Sequence, residues 1–433
     1  MFQTLRRSGS KPLIASACAL LLVSVALSAC GGGSSSSQSS ATTSGGASSS
    51  SSSGESSSSG EAVPASAKPG EKATGSPVKV GLLVDEGGTA VSQPEAREAA
   101  EAVTEYANEE LNGLAGHKIE LEPCGTKEEA AAAADCANQF VQEGVVGVVV
   151  PSTGQGASAA PIITKAGIAY VIPSAASPAE YTLPGVFNLT GGVPGQIGLT
   201  ADYAKQHGIK NVTIFPIDAG NFVATAEATG RPAYEAAGVE VNFVPVPEGT
   251  PDATPQVAAG LKSDPEAVYT LGDTNSCISV MKALSAVGSK ATRFVTNVCL
   301  SPSGIEAIGA ENFEGAIDFG SSDTVSDDPE AVTYRWVMSE FSPETQAGGV
   351  TEFGYQAMLS FIRATSSIKG EPTAKSVLAA MKATKGVNLA IGHGQTFSCD
   401  GKVVPTVPNI CGEGLLAETL NGSAEVTEVE LIK

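Results

Sequence analysis

Two short loops hold the residues whose types and spacing best suit chemistry. Pro151-Ser152-Thr153-Gly154 follows an apolar run at 145–150, and Pro173-Ser174-Ala175-Ala176-Ser177-Pro178 follows a second run at 168–172. Each loop offers hydroxyls, small side chains and backbone N–H groups, and neither offers an evident catalyst. Such loops suit holding a small polar molecule rather than transforming it.

For both loops to serve one site, the apolar runs before them must be neighbouring strands. Short Val/Ile-rich runs separated by a helix-length segment, 155–165, argue for a βαβ unit whose parallel strands are buried on both faces. In open sheets of this kind ligands settle outside the carboxyl ends of the strands. Upstream, VKVGLLV at 78–84 reads as a strand and is followed by the polar stretch Asp85-Glu86-Gly87-Gly88-Thr89. A helix at 94–111 has Pro94 near its start and Gly113 beyond its end. A strand at 119–121 and an Ala-rich helix at 127–141 complete the alternation of a doubly wound sheet. Gly191-Gly192 then reads as a hinge. Beyond it the alternation restarts, with strands at 212–216, 239–244, 267–271 and 294–298 and helices between them. A return strand at 316–320, helices at 330–341, 352–367 and 374–383 and a few extended strands end the chain. The predicted fold is α/β: two doubly wound parallel-sheet lobes joined by a multi-strand hinge, with a cleft that closes on a ligand.

The first thirty residues have a basic opening (Arg6, Arg7, Lys11) and an apolar core at 13–27, as an export signal does. Residues 31–77 are almost wholly Ser, Gly, Ala and Thr, which predicts a disordered tether. The lobes are then expected at 78–191 with 322–400, and at 192–321 with 401–433. Formal net charge is −21 over 433 residues, so nucleic acid and anionic membrane surfaces are poor partners for the body. Outside the signal and Cys30, six cysteines fall into local couples: Cys124 with Cys136, Cys277 with Cys299, and Cys399 with Cys411. In an oxidising compartment these read as three disulfides, locality favouring this connectivity among fifteen.

Sequence patterns that would imply catalysis are incomplete. Gly154-Gln155-Gly156-Ala157-Ser158-Ala159 matches the loose GxGxxG/A dinucleotide pattern, and Glu180 lies near the distance of a ribose partner. Its strand is third in the chain, however, and an exported body has little access to nicotinamide cofactors. Gly156-Ala157-Ser158-Ala159-Ala160 misses the GxSxG nucleophile elbow at its last position. His117, His207 and His393 read as loop or cap residues. Asp85, Glu86, Asp218 and Asp273 read as solvated loop carboxylates or as an acidic rim for a cation. No cofactor and no metal is expected.

The tetrad Leu27-Ser28-Ala29-Cys30 resembles the lipobox of bacterial lipoproteins. It implies a lipidated Cys30 that anchors the protein outside the cytoplasm to the bacterial cell membrane. The body, about 78–433, resembles the type I periplasmic binding proteins of the leucine/isoleucine/valine-binding group. The resemblance rests on VKVGLLV, Glu122-Pro123-Cys124, VVVPSTGQGASAAPI, AYVIPSAASPAEY, VTIFPIDAGNF and AVYTLGDTNS. It implies a non-enzymatic solute-binding lipoprotein that feeds an ABC permease with an amino acid or a related small amide or polar solute. In that group the ligand carboxylate is held by hydroxyls and backbone amides of the two loops, and its ammonium by carbonyl and acidic groups. Carried onto this chain, Ser152, Thr153 and Gly154 form the first loop and Ser174, Ala175 and Ser177 the second. A helix N-terminus with nearby hydroxyls stabilises an anion without a buried Lys or Arg. The opposing lobe would contribute Asp218, Asn221, Phe222, Asp273 and Asn275. Two departures leave the ligand open. Ala176 and Ser177 stand where the group usually offers a threonine, and the strand ending Asn297-Val298-Cys299 has no carboxylate. Asp273, Asp218 or Asp85 could then meet the ammonium, or the ligand is an amide, a urea or an aromatic acid. A ligand-sensing lipoprotein with a membrane signalling partner and an exported hydrolase are the other readings.

Overall fold

Continuous apolar runs, rather than alternating ones, build the first sheet. The computed structural model describes residues 63–67, 70–88, 92–219, 222–404 and 407–433. The export signal, Cys30, the tether before residue 63 and Asn221 lie outside the described residues. Strands and helices alternate as β1 (Gly75–Val84), α1 (Pro94–Glu110), β2 (His117–Gly125), α2 (Ala130–Glu143), β3 (Gly147–Val149), α3 (Gly156–Lys165), β4 (Ala169–Ile172), α4 (Pro178–Thr182) and β5 (Val186–Asn188). Every residue of β3, β4 and β5 is buried, because helices cover both faces of a parallel sheet. The strands pair in parallel in the order β2-β1-β3-β4-β5.

The second half repeats this construction. It runs α5 (Gly192–Gln206), β6 (Asn211–Asp218), α6 (Phe222–Ala237), β7 (Glu240–Phe243), β8 (Val246–Pro247), α7 (Thr254–Gly260), β9 (Ala267–Leu271), α8 (Thr274–Ala286), β10 (Thr292–Val295), α9 (Pro302–Ile308) and β11 (Ile317–Gly320). The chain then returns to the first half with α10 (Pro329–Phe341), α11 (Thr351–Thr365), α12 (Ala374–Ala383) and the short pair β12 (Val387–Asn388) and β13 (Thr396–Phe397). It closes in the second half with β14 (Leu415–Leu420) and β15 (Val426–Ile432). The second sheet has the order β7-β6-β9-β10-β11-β14-β15, with β8 beside β6. Both β14 and β15 run antiparallel to their neighbours, so these extended strands of the tail make the sheet mixed. A hairpin returning from a crossing segment meets the sheet edge head to tail, without a crossover helix to reverse its direction.

Core packing marks three crossings between the halves. Leu189 packs in the first core and Ile197 in the second; Phe319 in the second and Tyr334 in the first; Cys411 in the first and Leu415 in the second. On the first half α1 buries Ala96, Ala99, Ala100, Val103, Tyr106 and Ala107, an apolar stripe of helical period. Helix α11 packs closely against it: a Cβ at Gly354 would meet the Ala96 carbonyl at 2.0 Å.

The tether ends earlier than residue 77. Ala67 is buried in the first core, and Thr333 Oγ1 donates to Ser66 Oγ at 2.6 Å. The Ala73 N–H donates to Asn108 O at 2.8 Å and the Asn112 N–H to Glu71 O at 2.6 Å. Small alanines fit beside α1 and α10, and a Ser/Gly-rich composition hides that fit. All three disulfides have the local connectivity, with Cα–Cα distances of 5.7 Å for Cys124–Cys136, 5.6 Å for Cys277–Cys299 and 4.5 Å for Cys399–Cys411. The second ties the turn after β10 to α8, and the third sits at the last crossing.

Candidate functional site

The loop after β3 is held by a carboxylate from the loop after β1. Asp85 accepts from Thr153 Oγ1 and from the Gly154 N–H, each at 2.9 Å, and also from Thr126 Oγ1. Ser152 Oγ donates to Gln93 Oε1 at 2.9 Å. Asp85 therefore spends its charge on the first loop, at the point between β1 and β3 where the strand order reverses.

The loop after β4 is organised by Glu180, which is 0% exposed. Its carboxylate accepts from Ser177 N–H at 2.9 Å, Ser177 Oγ at 2.7 Å, Ala176 N–H at 3.3 Å and Tyr170 Oη at 2.7 Å. Burial, and then the Glu180 charge, push the Tyr170 hydroxyl well above its ordinary pKa. Ser177 and Glu180 form a capping box at the start of α4, and the spacing Ser177-Pro178-Ala179-Glu180 is its sequence signature. Ala175 is buried, its N–H donating to Asn188 Oδ1 at 3.0 Å. Glu180 also explains Gly156, where a Cβ would lie 2.2 Å from the carboxyl group. The glycine spacing that resembles a dinucleotide loop thus serves a buried carboxylate of the protein itself, and Glu180 cannot reach a ribose.

A cavity of about 180 Å³ lies where the crossings meet the carboxyl ends of both sheets. Of the residues singled out from sequence it brings together Ser174 and Phe222. Ser152, Thr153, Gly154, Ala175 and Ser177 do not line it and take part in the hydrogen bonds above. Asp218 is exposed at the end of β6 and Asn275 is exposed on α8. Asp273 caps α8, accepting from the Ser276 N–H at 2.7 Å.

Most of the wall comes from residues that sequence reasoning did not assign to ligand binding. Thr190 to Val193 and Gln196 supply the N-terminal turn of α5, Thr296 to Val298 the turn after β10, and Phe319 to Ser321, Phe353, Gly414 and Leu415 the crossings and α11. Gly192 has φ +61°, and a Cβ there would lie 2.4 Å from Tyr181 Oη, so the expected hinge position has both the conformation and the close approach that demand glycine. The Tyr181 hydroxyl donates to Ala175 O, tying this hinge to the second loop. Gln196 Nε2 donates to Phe319 O at 2.7 Å, joining α5 to the second crossing.

Among the described residues the wall carries three phenylalanines, Phe222, Phe319 and Phe353, neutral hydroxyls and amides, and no ionisable side chain. None of the three histidines takes part: His117 Nδ1 meets Ser76 O, His207 Nε2 meets Glu430, and His393 Nδ1 meets Asp323. Among the described residues no group of three or more His, Cys, Asp or Glu could hold a metal ion. A larger hollow of about 440 Å³ between α1, α10 and α11 opens at the loop leading into β2, the amino edge of the sheet, away from the ligand edge of such folds.

A sequence model described as periplasmic binding protein matches residues 77–408. No curated protein matches the chain in sequence. Among solved structures, a leucine-binding protein from Thermotoga maritima is 19% identical with a TM-score of 0.67, over 81% of this chain and 98% of its own. A branched-chain amino acid transporter substrate-binding protein from Streptococcus pneumoniae, in complex with isoleucine, is 18% identical with a TM-score of 0.68, over 82% and 99%. An ABC transporter solute-binding protein from R. palustris, in complex with 4-hydroxybenzoate, is 19% identical with a TM-score of 0.67, over 82% and 97%.

Proposed function

We propose, from the premise that this chain belongs to the periplasmic binding protein family, that it is the solute-binding lipoprotein of an ABC importer. Its solute is an amino acid of the branched-chain type or a related small polar molecule. The observation that carries this reading is the cavity at the crossings, walled from both halves by neutral polar groups and three phenylalanines. The lobes in this reading are 78–191 with 322–400 and 192–321 with 401–433, closing over that cavity. Ser174 Oγ and the N-terminal turn of α5 meet a carboxylate, since a helix start stabilises an anion without a buried cation. Phe222 and Phe353, one from each half, hold the apolar end. Binding, rather than catalysis, fits a wall without a general base or nucleophile.

A second reading has one specific support. The wall lacks a carboxylate for an ammonium group, and its phenylalanines suit an aromatic acid or amide as well as an aliphatic side chain. A thermal-shift screen against amino acids, amides, ureas and aromatic acids separates the two, because a solute bound by the folded form raises the melting temperature. For the solute so identified, Ser174→Ala is expected to lower affinity by about 1–2 kcal/mol in calorimetry. Unchanged affinity would remove Ser174 from the site, and a screen without a hit would remove the amino-acid reading.

Anchoring belongs to the same proposal. Among the described residues no helix is long and apolar enough to cross a membrane; in this reading the lipobox-like tetrad ending at Cys30 supplies the anchor. Cys30→Ser is expected to move the protein from the membrane fraction to the medium or periplasm, and mass spectrometry of the N-terminal peptide should show the acyl chains on the unsubstituted protein.

A further inference from the structure

Two carboxyl groups are buried together, with a third half-buried near them, where the chain crosses between the halves. Asp318 of β11 and Glu418 of β14 stand directly opposite each other in the antiparallel pair, which puts their side chains on one face. They are 2% and 6% exposed. Asp318 Oδ1 and Glu418 Oε1 accept from no donor, an arrangement that two ionised carboxylates do not tolerate. Glu352, half-buried in the first turn of α11 in the other half, feels the Asp318 charge and is hydrogen-bonded to Asn297 of the cavity wall.

The surroundings add negative charge. Asp323 of the second crossing acts on both Glu352 and Glu418, and its own carboxylate is bonded to His393 Nδ1 at 2.7 Å. Tyr269 faces Asp318 from β9, and Tyr334 faces Glu352 from α10. No Lys or Arg is among the charged groups acting on the three carboxyls. Burial pushes Asp318 up to about 7. Burial and then the Asp318 charge push Glu352 up to about 8, and Glu418 is raised well above the carboxylate range for the same two reasons. Groups whose pKa is raised by an arrangement favour that arrangement fully below their ordinary values, about 4, and cease to favour it as pH rises through the raised values.

We propose that Asp318, Glu418 and Glu352 form a proton-holding latch at the crossings, so that bringing the two halves together takes up protons and parting them releases protons. The latch rests on the reading of the halves as closing lobes. It gives solute capture a pH dependence, with tighter capture on the acid side of neutrality, although the cavity wall itself carries no ionisable group.

Two measurements on the intact purified protein without solute test it. In carboxyl-stretch infrared spectra, the unsubstituted protein is expected to keep a protonated-carboxyl band at about pH 6.5 that disappears by about pH 9, where ordinary carboxyls are ionised throughout. Replacing all three carboxyls, Asp318→Asn with Glu352→Gln and Glu418→Gln, should remove that band. In small-angle X-ray scattering, the radius of gyration is expected to rise between about pH 5.5 and 8.5. The same triple variant, which imitates the protonated form, should stay at the smaller value across that range. Absence of the band at about pH 6.5, or a radius of the unsubstituted protein that ignores pH, overturns the latch. Failure of leucine to raise the melting temperature bears on the proposed solute and leaves both of these readouts unaffected.

Discussion

Glu180→Ala is expected to lower the free energy of unfolding by about 3–5 kcal/mol, because it strands the buried Tyr170 hydroxyl and the two half-buried donors of Ser177 at about 1–3 kcal/mol each. The hydroxyl of Tyr170 is fully buried and has the Glu180 carboxylate as its partner at 2.7 Å. Ser177 loses acceptors for both its N–H and its hydroxyl, and α4 loses its cap. Glu180→Gln keeps the shape and one acceptor oxygen, so it should recover roughly half of the loss. Chemical denaturation at unchanged m-value reads both effects. Solute affinity should fall with the alanine variant as well, since Ser174 belongs to the loop that Glu180 holds. A glutamine variant as unstable as the alanine one would mean that charge, rather than hydrogen bonding, is what the loop requires. Gly156→Ala offers an independent check, because its Cβ would press on the same carboxyl group from the other side.

The alternation of strands and helices was legible because β3, β4 and β5 are short apolar runs bounded by small polar loops, a pattern set by local burial. The three disulfides were legible from spacing for a similar reason: each couples elements that adjoin in sequence. What escaped the sequence is long-range. Asn297, Phe353 and Gly414 meet at one cavity only because the chain crosses between halves three times, and no local pattern encodes which residues face such a junction. Glu180 was read by its distance from a glycine pattern, whereas its burial depends on Tyr170 and Gly156 closing around it; the capping-box spacing was the available signal. The antiparallel β14 and β15 carry Glu418 inside the sheet, against the usual preference for apolar residues there. That exception points to a functional or strained site more than to a fold requirement. Ala67 and Ala73 lie in a composition that predicts disorder, and their docking is decided by the groove beside α1 and α10.

Removing both rings, Phe222→Ala with Phe353→Ala, is expected to lower affinity for a solute with a bulky apolar side chain by about 3–4 kcal/mol, some hundreds-fold. Phe222 opens α6 in the second half and Phe353 lies in the first turn of α11 in the first, so the two rings approach the cavity from opposite sides. Apolar area that a solute buries against them leaves water only when both halves close on it. A solute with a small side chain buries little of that area, and its affinity should change by less than about 1 kcal/mol. The informative measurement is therefore the ratio of affinities for leucine and alanine, or for an aromatic and an aliphatic acid, in the original and substituted proteins. Collapse of the ratio assigns the rings to the solute. An equal loss for large and small solutes would instead assign them to the junction between the halves, where Phe319 and Gln196 already join α5 to the second crossing. The single variants separate the sides: if closure is what completes the apolar wall, Phe222→Ala and Phe353→Ala should each cost more than half of the double loss, because either gap readmits water to the remaining ring.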